Sequence, residues 1–135
     1  MIEYTTDLSF LDENMLGGFF VGWSNPPSKS IHLKILKNSF ISWLAIDKTS
    51  NKLVGFINAI SDGVLSAYIP LLEVLPEYQN SGIGKELVTR MLNSLKNLYM
   101  IDLLCDEELQ EYYAKLGMKK AIGSMLRNYD HQNCE

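Results

Sequence analysis

One stretch near the middle of the chain limits the folds open to it. Ile83, Leu87, Val88, Met91, Leu92, Leu95 and Leu98 recur at helical spacing, and this unbroken apolar stripe predicts the strongest helix of the sequence over residues 82 to 97. Apolar runs at 64 to 75 and at 100 to 105 flank it, and both read as strands. Strand, helix, strand in that order requires two parallel neighbours joined by a right-handed crossover.

The segments on either side extend this unit. Residues 40 to 46 and 53 to 60 are rich in β-branched and aromatic side chains and flank the polar turn Lys48-Thr49-Ser50-Asn51-Lys52. Ser61-Asp62-Gly63 then turns the chain into 64 to 75, so three consecutive strands form an antiparallel meander. Upstream, Leu8, Leu11, Met15, Leu16, Phe19 and Phe20 predict a first helix behind the caps Asp7 and Ser9, weakened at Gly17-Gly18 and ended by Gly22. Pro26-Pro27 separates it from a short helix at 30 to 37. Leu109, Tyr112, Tyr113 and Leu116 mark a further helix, with Asp106 placed to cap it, Glu107 and Glu108 on its positive end and Gly117 at its C′ position. Residues 118 to 127 supply one or two closing strands. The expected fold is a single α/β domain over 1 to 135, a mixed, mostly antiparallel sheet flanked by about four helices.

Composition agrees with a globular domain and narrows its partners. The 135 residues are 47% hydrophobic and 21% charged, a balance that rules out disordered, collagen-like and disulfide-scaffold chains. Twelve Lys and Arg against sixteen Asp and Glu leave a net charge of −4. Nucleic acid is therefore not an expected partner, since phosphate contacts need a basic face. The mild acidity suits a cationic partner such as an amine. No apolar run approaches the roughly 20 residues of a membrane span, and Met1-Ile2-Glu3 does not open a signal peptide. Cys105 and Cys134 lie in unlike settings, so the expectation is a reduced, cytoplasmic chain with no membrane partner. His32 and His131 have no metal-ligand spacing and are expected on the surface, with no metal bound.

The chemistry concentrates in Val74-Leu75-Pro76-Glu77-Tyr78-Gln79-Asn80-Ser81-Gly82-Ile83-Gly84-Lys85, which runs from a strand through a two-glycine loop into the strong helix. Glycines there let backbone N–H groups approach a ligand, and the helix N-terminus adds partial positive charge, so the junction is suited to phosphate. It is not a P-loop, which needs Gly at 79 and Ser or Thr at 86 where this chain has Gln79 and Glu86. Nor is it a dinucleotide fingerprint, because Leu87 occupies the third small-residue position.

Gln79-Asn80-Ser81-Gly82-Ile83-Gly84 instead resembles the Gln/Arg-x-x-Gly-x-Gly/Ala signature of the GNAT superfamily of acyl-CoA N-acyltransferases, and Tyr113-Ala114-Lys115-Leu116-Gly117-Met118 resembles its Tyr-Glu-Lys-Leu-Gly-Phe segment. The likeness covers about residues 39 to 120, with a weaker one to plant plastid serotonin N-acetyltransferases around Ser61-Asp62 and 76 to 79. It implies acetyl-CoA as co-substrate, with the amides of Gln79, Asn80, Ser81, Gly82, Ile83, Gly84 and Lys85 on the pyrophosphate and Val74 and Leu75 along the pantetheine arm. Lys85 either adds a point charge to the phosphates or faces solvent. Asp106 stands where many members have a CoA-contacting Asn, so it either keeps that contact or serves only as an N-cap. The resemblance also implies that a homodimer is to be expected.

Tyr113 matches the family's acid, whose phenol can protonate the departing sulfur, although it also shares an apolar stripe with Leu109 and Leu116. For the base, Glu73 is the only carboxylate in the strand at 64 to 75, and its alternative is an ordinary solvent-facing or ion-paired residue. Asp62 and Tyr68 are lesser candidates. Trp23, Trp43, Phe19 and Phe20 either line an apolar acceptor pocket or belong to the core. The reading is an N-acetyltransferase acting on a small primary amine, such as an arylalkylamine or polyamine, by direct attack in a ternary complex. Its alternatives are a CoA-binding regulatory module and a protein-lysine acetyltransferase.

Overall fold

A computed structural model describes all of residues 1–135. Five strands form one sheet in the order β1-β2-β3-β4-β5: Ile2–Thr5, Ile41–Asp47, Lys52–Ser61, Ser66–Val74 and Met100–Asp102. The first four are antiparallel, with Trp43 opposite Ile57 and Phe56 opposite Glu73. β5 pairs parallel to β4 over only Ser66–Tyr68, and helix α2, Ile83–Ser94, is the crossover between them. The meander, the strong helix and the parallel pair stand as expected.

Strand β3 is sealed on both faces, which explains its run of buried residues. On one face Val54, Ile57 and Ala59 meet the α2 stripe of Ile83, Leu87, Val88 and Met91. On the other, Phe56 and Leu53 pack with Leu36 of helix α1, Lys29–Asn38, and with Leu11, Met15 and Leu16. Trp43 extends β2 toward α2, where its indole N–H donates to Ser94 Oγ at 3.0 Å and its ring carries the Arg90 guanidinium.

Four expectations change. There are three α-helices rather than about four, the third being Gln110–Ala114. Residues 8 to 22 hold only a single 3-10 turn, Glu13–Met15, because Gly18, Phe20 and Gly22 all take left-handed backbone, at φ of 93°, 62° and 84°. Residues 118 to 127 form no strand. β5 stops at Asp102, and the segment beyond Gly117 has one β-branched residue, Ile122, which is fully exposed. His32 is not on the surface: it is 1% exposed inside a cage of Phe19, Phe20 and Phe56, at 5.3, 4.9 and 4.6 Å between ring centroids.

Candidate active site

The site begins where β4 and β5 part. Their last paired residues are Tyr68 and Asp102. Two residues further along β4, Pro70 has no N–H with which to continue a ladder. From there residues 69 to 73 and 103 to 106 become opposite walls of an open cleft. A proline inside an apolar strand is the sequence signal that marks this split.

At the far end of β4 the chain enters a 3-10 turn, Pro76–Tyr78, and then α2. Asn80 and Gly82 take left-handed backbone on the way, at φ of 62° and 88°. A Cβ built on Gly82 would find no atom within 4 Å, so the backbone there faces open space. The resulting groove of about 410 Å³ is lined by Val74, Gln79, Asn80, Gly82, Gly84 and Lys85, together with Ile83, and is closed from α3 by Tyr112 and Tyr113. A left-handed turn leading into a twelve-residue helix aims amide hydrogens at a bound anion. Leu75, expected along the pantetheine arm, is a core residue whose N–H donates to Val54 O at 2.8 Å. Ser81, whose amide is the expected contact, donates its hydroxyl to Tyr78 O and is not among the lining residues. Gln79 donates from Nε2 to Val74 O at 3.0 Å, tying the turn back onto β4.

On the other side of the split lies a cavity of about 680 Å³ between β4, residues 103 to 106, and two segments remote in sequence, at Val21 and Trp23 and at Met125 and Arg127. Glu73 stands on its β4 wall. One of its carboxylate oxygens accepts the Phe20 N–H at 2.8 Å and the other the Val21 N–H at 3.2 Å, so the side chain fixes the left-handed loop against the sheet. Each oxygen keeps a further lone pair. The groove and the cavity meet at Tyr113, which lines both. Burial, with Tyr112 and Cys105 beside it, pushes its phenol up to about 12, so it is a neutral donor at physiological pH.

A family profile described as the acetyltransferase (GNAT) family matches residues 9–118. The chain belongs to that GNAT family. An uncharacterized N-acetyltransferase, ycf52, of Pyropia yezoensis is 32% identical over 74% of this chain and 59% of its own length. A histone acetyltransferase, TAP1, of Glycine max is 32% identical over 73% of this chain and 47% of its own. The chain thus spans about half of the curated relatives it matches. The crystal structure of a candidate acetyltransferase from Deinococcus radiodurans R1 superposes with a TM-score of 0.94 at 42% identity, covering 98% of this chain and 92% of that one.

Within the GNAT frame the remaining candidates separate clearly. Asp62 lies at the β3–β4 turn, where one oxygen accepts the N–H groups of Val64, Leu65 and Ser66, and these bonds hold its carboxyl below the usual range. Neither it nor Tyr68 lines the cavity beside Glu73. Asp106 precedes the 3-10 turn Glu107–Leu109 but its side chain makes no capping bond, and it lines the Glu73 cavity rather than the Gly82 groove. Of the four aromatic candidates only Trp23 lines that cavity. Cys105 also lines it, with a thiol pushed up by burial and by Asp106 and Glu108, the opposite of what a nucleophilic thiolate needs. Sequence reasoning missed Met125 and Arg127, whose place in the cavity depends on how the segment after α3 folds back.

Proposed function

We propose that this GNAT domain transfers an acetyl group from acetyl-CoA to a small primary amine by direct attack in a ternary complex. The observation that carries the reading is that one neutral tyrosine, Tyr113, lines both the Gly82 groove and the Glu73 cavity. Acetyl-CoA supplies an acyl carbon on a thioester, held by the amides around Gly82 with Lys85 beside them. Amine and thioester would meet beside the phenol.

The residues meet two unequal demands. An alkylammonium of pKa near 10.4 yields its proton at pH 7 at a cost of about 4.6 kcal/mol, so a base is the larger need. Glu73 takes this role through the lone pairs that Phe20 and Val21 leave free. The amine lone pair then forms the N–C bond, the C–S bond breaks and the sulfur leaves with its electron pair. Full transfer from a phenol at about 12 to a thiolate near 8.5 would be uphill by roughly 5 kcal/mol. Tyr113 therefore stabilises the developing charge as a hydrogen-bond donor, and the sulfur's final proton comes from the ammonium side or from water.

Replacing Tyr113 by Phe should lower kcat about 10²-fold or more while leaving acetyl-CoA affinity by calorimetry within a few-fold. A wild-type rate would remove Tyr113 from the reaction. Binding of acetyl-CoA with no amine-dependent release of CoA would favour a regulatory module. The name of the soybean relative favours a second reading, acetylation of lysine on a protein, and preference for peptides over free amines would establish it.

A further inference from the structure

Arg127 is the only cation on the lining of the acceptor cavity, and it has no counter-ion within the chain. The ion pairs of the protein are Lys48–Glu3, Lys52–Glu77 and Arg90–Glu86, all elsewhere. Its guanidinium donates only to Leu126 O, at 3.2 Å. The cavity carries two acids, Glu73 and Asp106, and neither neutralises it. Glu73 accepts the N–H groups of Phe20 and Val21 with one lone pair of each oxygen and makes no ion pair with Arg127. Gln132, five residues on, accepts the Asn25 N–H at 2.8 Å and the Ser24 hydroxyl at 3.4 Å, which ties the chain after Arg127 to the loop that carries Val21 and Trp23.

Acidic and cationic side chains thus line one cavity without pairing, and Val21, Trp23, Leu71 and Met125 add apolar surface to the same lining. The complement of that arrangement is a dipolar molecule. We propose that the acceptor is an amine whose apolar body also carries a carboxylate, an amino-acid-like amine, with its ammonium toward Glu73 and its carboxylate on Arg127. The inference rests on the acetyl-transfer reading above. A planar guanidinium matches a carboxylate with two parallel N–H bonds. A polyamine would bring a second ammonium against Arg127, and a simple arylalkylamine would leave the guanidinium without a charge partner.

The test compares matched pairs that differ only in the carboxylate: phenylalanine with 2-phenylethylamine, and 6-aminohexanoate with hexylamine. The readout is the ratio of kcat/KM within each pair, from acetyl-CoA-dependent CoA release. In the wild type at least one acid should be preferred about tenfold or more. Arg127→Gln should cut that ratio about tenfold or more, Arg127→Lys should restore part of it, and Arg127→Glu should shift preference to 1,6-diaminohexane. Arg127 is exposed, so folding does not depend on it. Turnover of amines with no preference for either acid, or a ratio untouched by Arg127→Gln, overturns the amino-acid assignment and leaves amine acetylation standing. No turnover of any amine, with acetyl-CoA still bound, overturns both.

Discussion

At Gly82 the need for a left-handed backbone and the need for open space coincide, at φ 88° with no atom within 4 Å of a built Cβ. Gly82→Val should therefore abolish acetyl-CoA binding by calorimetry at the cost of local strain, with the far-UV spectrum retained. Unchanged affinity would remove the groove from the cofactor assignment. His32 gives the second residue-scale prediction. Burial among three phenylalanines depresses its imidazole to about 4, and Nε2 has no hydrogen-bond partner. The unfolded chain takes up this proton near pH 6.5 and the folded chain only near 4, so stability falls as pH drops through that window, by up to about 3 kcal/mol. Melting temperatures between pH 7 and 4.5 should fall less steeply in His32→Phe than in the wild type, and parallel slopes would contradict the assignment. The two residues differ in legibility. Gly82 could be read because its neighbours in sequence are its neighbours in space, whereas the cage around His32 is built by Phe19, Phe20 and Phe56 from two other parts of the chain.

Among the elements, those whose burial follows from their own period could be read directly. The α2 stripe, the α1 helix and the meander all show the pattern of the core they face. Three segments escaped for a shared reason. β1 is four residues long and gains its order by pairing Ile2 with Asp47 and Tyr4 with Ala45. Residues 8 to 22 carry helical spacing, yet their shape is set by left-handed positions and by Glu73 on a distant strand. The chain after Gly117 is fixed across the molecule through Gln132. Glu73 holds the order of a loop and is also the base proposed above, and the two roles are separable by experiment. Glu73→Gln should lower kcat, remove the acidic limb of the kcat/KM profile and recover partly at high pH as free amine becomes available. It should also reduce hydrogen-exchange protection at Phe20 and Val21, consistent with a loss of about 1–3 kcal/mol locally. Retained protection with lost activity would assign Glu73 to proton transfer alone, and the reverse would make it a positioning residue.

For the whole molecule, a co-substrate that binds only the folded state stabilises it by about 2.7 kcal/mol at a hundredfold excess over Kd. In a domain of this size that corresponds to a rise of roughly 8 °C in Tm. Acetyl-CoA should give a rise of this order, and ATP and NAD much less. A larger rise with ATP would show that the Gly82 turn is a nucleotide triphosphate site after all. The two halves of the candidate site are also built differently. The Gly82 groove comes mainly from one contiguous stretch, β4 through the first turn of α2, with only Leu109 and α3 added. The Glu73 cavity is assembled from β4, residues 103 to 106, the loop at Val21 and Trp23, and the segment at Met125 and Arg127. Substitutions in the last two can accumulate without disturbing the groove. Relatives sharing this fold are therefore expected to keep one acyl donor while diverging in acceptor, so that swapping those two segments between homologues exchanges amine preference and leaves the affinity for acetyl-CoA where it was.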